Sequence, residues 1–195
     1  MQKIDPSSPK AQLRKSLLQT RQAMSPAVWQ QKSQQICAQL QQSGWLNQAR
    51  TILAYSSLRQ EPDLSKLLNA NAARWGLPRC VEKSLSWHLW NPEFPLQAGR
   101  YGLLEPRPDA PQITAAEVDL ILVPAVACDR SGYRLGYGGG FYDRLLSQPD
   151  WRKIPTVGVV FEFALLPELP TEAWDWPLQA ICTESGLFEP PHHLA

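Results

Sequence analysis

The sequence predicts an α/β layered fold, with a largely parallel central sheet flanked by helices and an N-terminal helical arm in front of it. Three observations carry this expectation. Short apolar runs at residues 51–55, 120–126 and 155–161 alternate with helical and loop-like segments. The run at 120–126 is apolar almost throughout, as expected for a strand buried on both faces. Two Ser-Pro pairs, Ser8-Pro9 and Ser25-Pro26, each open a long segment of helical character. Ser caps a helix and Pro suits its first turn.

Taken in order, residues 1–9 read as a flexible lead rich in Ser and Pro, and residues 10–43 as the helical arm. Its first helix runs to about Met24, with Leu13 and Leu17 at i,i+4. Its second, rich in Gln, runs to about Gln42, and Ser43-Gly44 closes it. There follow a strand at 51–55, a helix at 64–73, strands at 77–81 and 86–90, and the buried strand at 120–126. A short helix from Phe141 to about Ser147 precedes strands at 155–161 and 180–183. The Pro-rich stretches 92–111 and 167–177 read as connections over the surface, and 184–195 as a tail. The 195 residues are expected to form one domain with a sizeable core.

Nineteen Lys and Arg nearly balance eighteen Asp and Glu, a formal charge of +1. That balance argues against a broad nucleic-acid footprint and a polybasic membrane surface. No apolar run is long enough to cross a bilayer, and residues 1–6 hold no secretory core, so a cytoplasmic location is expected. Cys37, Cys80, Cys128 and Cys182 are far apart and are expected to be reduced and inert. Cys128 lies near the glycine run described next, but no His stands beside it in sequence. His88, His192 and His193 give a zinc site little support.

The most informative stretch is Arg134-Leu135-Gly136-Tyr137-Gly138-Gly139-Gly140-Phe141-Tyr142-Asp143-Arg144. A glycine run folds tightly and turns successive backbone N–H groups toward one object. If Phe141 opens a helix, those donors lie at its positive end. Arg134 and Arg144 add two cations and Asp143 a metal ligand, so the run reads as a triphosphate site. It lacks the Gly-Lys-Ser/Thr ending of a P-loop, and Phe141 stands where a dinucleotide motif needs its third glycine. The plain alternative is a strand-to-helix turn without a ligand.

Lys10, Arg14 and Arg21 share one helix face, either as a solvated stripe or as cations reaching an anionic ligand. Glu61-Pro62-Asp63 is either a helix start or a contact to a polar heterocycle. Tyr101 and Glu105 lie in an irregular aromatic and acidic stretch. Asp143 and Asp175 would make a suitable magnesium pair together with phosphate oxygens.

On these residues the chain resembles the 5-formyltetrahydrofolate cyclo-ligase family over residues 10–184. The most specific element is Asp119-Leu120-Ile121-Leu122-Val123-Pro124 followed by the Arg-Leu-Gly-x-Gly-x-Gly, aromatic pair and Asp of residues 134–143. Lys10-x-x-x-Arg14, Glu61, Leu77-Pro78-Arg79, Tyr101-Gly102, Glu105-Pro106, Pro177-Leu178 and Thr183-Glu184 support it. The resemblance implies the scaffold shared with sugar-phosphate isomerases and CoA transferases. It also implies an ATP- and magnesium-dependent carbon–nitrogen ligase that cyclises 5-formyltetrahydrofolate to 5,10-methenyltetrahydrofolate.

By the same resemblance, Lys10, Arg14, Arg134, Gly136, Gly138, Gly139, Gly140, Tyr142 and Asp143 bind ATP. Asp143 and Asp175 hold magnesium. Glu61, Tyr101, Glu105 and Tyr142 contact the folate, and Tyr142 and Arg134 are catalytic. A monomer is expected, with no nucleic acid or membrane as partner. The chain departs from the family pattern at Trp174 (usually His), Gln179 (often Asp), Leu64 (usually Thr) and Phe141 (usually Tyr). Trp174 motivates the alternative of a non-catalytic folate, nucleotide or RNA binder on the same fold. An isomerase or transferase would want a glutamate beside the glycine run, and none stands there.

Overall fold

A computed structural model describes residues 8–70 and 73–191. The two helices of the first forty residues begin at the Ser-Pro pairs. Helix α1 spans Pro9–Gln22, with the Ser8 hydroxyl accepting from the Ala11 amide at 3.2 Å. Helix α2 spans Pro26–Gln42, capped in the same way by Ser25. Gly44 does not close α2. Ser43 stays extended, its hydroxyl donates back to the Leu40 carbonyl at 2.7 Å, and it also caps α3, Gly44–Gln48.

Strand β1 (Thr51–Leu53) leads through α4 (Ser65–Ala70) to β2 (Arg74–Val81) and its antiparallel partner β3 (Ser84–Leu89). The helix expected over residues 64–73 starts one residue later, and residues 71–72 lie outside those described. The Pro-rich stretch holds a small ribbon of β4 (Gln97–Ala98) and β5 (Leu104–Glu105). Next come β6 (Leu120–Pro124), β7 (Ala127–Asp129), β8 (Arg134–Leu135), α5 (Phe141–Leu146) and α6 (Pro149–Arg152). The chain ends through β9 (Thr156–Val159), β10 (Leu165–Leu166), β11 (Ala180–Thr183) and β12 (Gly186–Phe188). Residues 1–7 of the expected lead and His192 and His193 of the tail lie outside the described residues.

The central sheet has the order β12-β11-β9-β6-β1-β2-β3. Its five inner strands run parallel, and an antiparallel strand closes each edge. Strand β6 shows why both faces must be covered. Leu120 and Leu122 point into one apolar layer with Ile36, Leu40, Leu46 and Leu67. Ile121 and Val123 point into the other with Leu17, Leu145, Leu146 and Ile154, since alternate residues of a strand face opposite ways. The two helices of the N-terminal arm therefore divide between the layers, α1 on one face and α2 on the other. Asp119 ties the inner strands at their start, its carboxylate accepting the Arg50 and Thr51 amides at 2.9 Å each.

A second sheet, of order β10-β7-β8, packs on the α1 face. Gly158 permits the approach, because a Cβ there would stand 2.8 Å from Leu178 and 3.0 Å from the Cys128 sulfur. Among the described residues no helix is long and apolar enough to cross a membrane.

Candidate active site

In a parallel sheet the loops beyond the carboxyl ends part where the strand order reverses, leaving a crevice. Here that point lies between β1, whose successor β2 lies on one side, and β6, which begins the series on the other. The loops after β1 and β6 carry Glu61 and the glycine run. The run does not leave β6 directly. Residues 127–135 first make the β7–β8 hairpin, turned by Asp129, whose carboxylate accepts the Ser131 and Tyr133 amides at 2.9 Å. That hairpin aims Arg134 and the glycines back across the end of the sheet.

Within the loop, Gly138 (φ +90°) and Gly140 (φ +67°) are left-handed, and Gly140 heads α5 directly. Helix α5 has only six residues, so its dipole adds little, and an anion at the loop would rely on the loop amides and the cations around them. The two arginines of the motif differ in role. Arg144 braces the loop from outside, donating to the Gly139 carbonyl at 2.8 Å and the Lys83 carbonyl at 2.6 Å, with Phe141 under its guanidinium. Arg134 points inward, and its side chain is 4 % exposed. It pairs with Asp143 and donates to the Trp176 carbonyl at 3.1 Å.

The cationic face of α1 lies along the same loop. Lys10 pairs with Asp175 at 2.9 Å, and Arg14 donates to the Gly136 carbonyl at 2.7 Å. Arg21 is buried beneath the loop, donating to the Arg59 carbonyl at 3.0 Å, the Ala125 carbonyl at 3.3 Å and the Tyr137 hydroxyl. The stripe is therefore not a solvated one. Asp143 and Asp175 each carry a cationic side chain, and Arg134 joins the first to the backbone next to the second. Two carboxylates beside a cluster of cationic side chains suit magnesium, which prefers oxygen ligands and keeps several waters. Among the described residues no group of three or more His, Cys, Asp or Glu side chains gathers for a metal.

The floor of the crevice is a buried polar cluster. Glu61 is 3 % exposed, and its carboxylate accepts the Leu58 amide at 2.9 Å. Burial raises its pKa, while Arg21, the Leu58 amide and the Tyr137 hydroxyl oppose the rise. Its carbonyl accepts from Trp29 at 2.9 Å and Ser57 at 2.7 Å. The preceding Arg59 and Gln60 are left-handed (φ +48° and +57°), a strained turn held by its surroundings. Tyr142 is half-buried and edge-on to Trp87, ring centroids 6.5 Å apart, and its buried hydroxyl has no hydrogen-bond partner among the described residues. Burial, then the Glu61 charge, pushes the phenols of Tyr142 and Tyr137 up, so both stay protonated. Tyr137 and Tyr55 carry no motif signal. Only their place against Glu61 and Arg21 marks them.

Tyr101 stands exposed at the rim, left-handed at φ +62°, with its ring edge-on to Phe141 at 6.0 Å. Glu105 turns inward instead. Its carboxylate accepts the Cys80 amide at 3.0 Å and faces Arg79 at 3.7 Å, which is a role in holding the β2–β5 corner. The departures from the family pattern also have local accounts. Trp174 faces solvent, and Asp175 keeps its own-turn bond to the Glu172 amide at 2.8 Å. Gln179 accepts the Thr156 amide at 2.9 Å at the far end of the sheet, and Leu64 is buried among the residues around α2 and α4. Two surface hollows, one lined by Cys37, Ser65 and Lys66 and one by Trp45, Asp119 and Pro155, lie away from the glycine loop.

The four thiols are free, and burial raises them all: Cys37 and Cys80 to about 11, Cys128 and Cys182 to about 12. Cys128 is fully buried and held in its thiol form. At pH 8 the thiolate fraction of the partly exposed Cys80 should be about 100-fold below that of a free cysteine. Titration with a thiol reagent is expected to go slowly in the folded protein and rapidly, at all four positions, in denaturant. Fast labelling of the folded chain would contradict this.

Residues 6–184 match the profile of the 5-formyltetrahydrofolate cyclo-ligase family. A 5-formyltetrahydrofolate cyclo-ligase of Mycolicibacterium smegmatis is 36% identical over 188 residues, covering 89% of this chain and 93% of its own. One of Escherichia coli K12 is 32% identical, covering 88% of this chain and 98% of its own. The solved structure of Aquifex aeolicus 5,10-methenyltetrahydrofolate synthetase superposes with a TM-score of 0.84 at 29% identity, covering 96% of this chain and 98% of that one.

Proposed function

The chain belongs to the 5-formyltetrahydrofolate cyclo-ligase family, and we propose on that footing that it converts 5-formyltetrahydrofolate to 5,10-methenyltetrahydrofolate with ATP and magnesium, releasing ADP and phosphate. The observation that supports this reading best is the juxtaposition at the crevice. The glycine loop follows the carboxyl end of β6 and Glu61 that of β1, and the Arg134–Asp143 and Lys10–Asp175 pairs adjoin the loop through Arg134 and helix α1.

A formamide carbonyl is a poor electrophile and its oxygen a poor leaving group. Moving the γ-phosphoryl group onto that oxygen makes a phosphate ester. The neighbouring arylamine nitrogen then bonds to the formyl carbon and loses its proton, and the carbon–oxygen bond breaks as phosphate departs. Such chemistry asks the protein for positioning and charge stabilisation. Lys10, Arg14, Arg134 and the amides of residues 136–140 would hold the triphosphate. Asp143 and Asp175 would hold magnesium, which supplies neutralisation of phosphate charge. Glu61 would accept hydrogen bonds from the pterin. The unpartnered hydroxyl of Tyr142 would donate to bound ligand, and Tyr101 would cover the outer edge. Trp174, the motive for a non-catalytic reading, is exposed and leaves the contacts of Asp175 in place. The catalytic reading is therefore the one kept.

The test is a near-ultraviolet trace of purified protein with 5-formyltetrahydrofolate. Growth of the methenyl chromophore is expected only when ATP and magnesium are both present. A flat trace from protein that still binds the folate, read by tryptophan fluorescence, would overturn the catalytic reading.

A further inference from the structure

The guanidinium of Arg21 sits where the loops after β1 and β6 part. It is 3 % exposed, and its contacts go to three different segments. Nε donates to the carbonyl of Arg59, inside the left-handed turn that presents Glu61. Nη1 donates to the carbonyl of Ala125, where the chain leaves β6. Nη2 donates to the hydroxyl of Tyr137, in the glycine loop, and the Tyr137 ring lies 5.5 Å below the guanidinium. The Tyr137 hydroxyl in turn stands against the Glu61 carboxyl. A planar fork with five donors can hold three such partners in fixed directions, which a lysine cannot.

Burying a cation under a loop is costly, and apolar packing would fill the same space at less cost. What the cation adds is a rigid link between two loops with different ligands. Tyr137 stands between Gly136 and Gly138, on backbone that offers little resistance of its own to movement. Its aromatic ring and hydroxyl rest on Arg21. The turn at Arg59 and Gln60 is strained and keeps its shape only while its surroundings hold it. One side chain therefore sets both the seat of the loop residue and the presentation of Glu61.

Resting on the reading above, in which the glycine loop takes the triphosphate and Glu61 the pterin, we propose that Arg21 and Tyr137 are positioning residues that couple the two binding steps. Seating the triphosphate fixes the loop, the loop fixes Tyr137, and Arg21 carries that order to the turn at 59–61. Nucleotide and folate then tighten each other's binding by the same factor, as linkage requires.

The experiment compares the parent with Tyr137→Phe and Arg21→Lys. Turnover of the parent is checked first by the methenyl chromophore. The Kd for 5-formyltetrahydrofolate is then read by tryptophan fluorescence with and without a non-hydrolysable ATP analogue and magnesium. In the parent the analogue should lower that Kd by at least about fivefold. In Tyr137→Phe, shown to be folded by its thermal unfolding, the ratio should fall below about twofold. Arg21→Lys should lose the ratio too; should it fail to fold, Tyr137→Phe alone decides. A purely structural role would leave the ratio of Tyr137→Phe at the parent value, and that result overturns the proposal, as does a parent without coupling. A parent with no turnover overturns instead the functional reading beneath it.

Discussion

Replacing Arg134 with glutamine is expected to lower kcat/KM about 1,000-fold, or ~4 kcal/mol of transition-state stabilisation. The size follows from where the guanidinium sits. It is almost wholly buried, pairs with Asp143, and donates to the Trp176 carbonyl at 3.1 Å beside Asp175. The substitution removes a buried positive charge from the point where phosphate charge would be transferred. It also frees both carboxylates from the frame that holds their segments together. Arg134→Lys should recover little, because a single ammonium cannot reproduce two contacts in the directions of a planar fork. Initial rates of chromophore formation, with thermal unfolding to establish that the variant is folded, provide the check. A folded Arg134→Gln within threefold of the parent would remove Arg134 from the catalytic machinery.

Glu61→Gln is expected to act on the other substrate. The KM for 5-formyltetrahydrofolate should rise by about tenfold or more, the scale of one lost charged hydrogen bond, while the KM for ATP stays within about twofold. The split matters because a general structural fault would raise both. The same variant carries a pH signature whose sign is fixed. Burial first, against the pull of Arg21, holds the Glu61 carboxyl above its ordinary value of 4.5. A carboxyl with a raised folded-state pKa favours the folded protein in its protonated form. That contribution is complete below 4.5 and is lost as the pH rises through the folded-state value. The glutamine variant, neutral throughout, has nothing to lose over this interval. Its Tm relative to the parent should therefore climb from pH 4.5 toward neutrality. A difference in Tm that stays flat with pH would mean that Glu61 titrates as an ordinary carboxyl.

Much of this was legible in the chain because it is local. Ser8-Pro9 and Ser25-Pro26 cap their helices where expected, since a cap depends only on residues three or four apart. The buried strand at β6 is visible because both of its faces are apolar. The motif of residues 134–144 announces its charges. What could not be read depends on distant partners. The β7–β8 hairpin hides in a short, mixed stretch whose turn is held by the side chain of Asp129. Arg144 and Arg134 have the same chemistry in sequence and opposite duties in space, because only one faces the crevice. The sequence leaves the face of Lys10, Arg14 and Arg21 open between two readings, and contacts to residues more than a hundred positions away rule out the solvated stripe. Glu105 resembles a ligand contact by motif and is turned into a backbone support by the Cys80 amide.

The pairing of Lys10 with Asp175 has a consequence for the order in which the molecule comes into being. The contact joins positions 165 apart, and Lys32 likewise pairs with Glu184 near the other end of the chain. Contacts of such separation must overcome a large loop-closure entropy before they reward the chain, so they form late. A ribosome that has released only the first 160 residues has supplied α1, α2, the glycine loop and Glu61, but no Asp175 to meet Lys10. Such a nascent chain carries most of the proposed site residues without the partner that Lys10 pairs with. A chain stopped there lacks β10, β11 and β12 and both of these pairs, and it should therefore be prey to proteases.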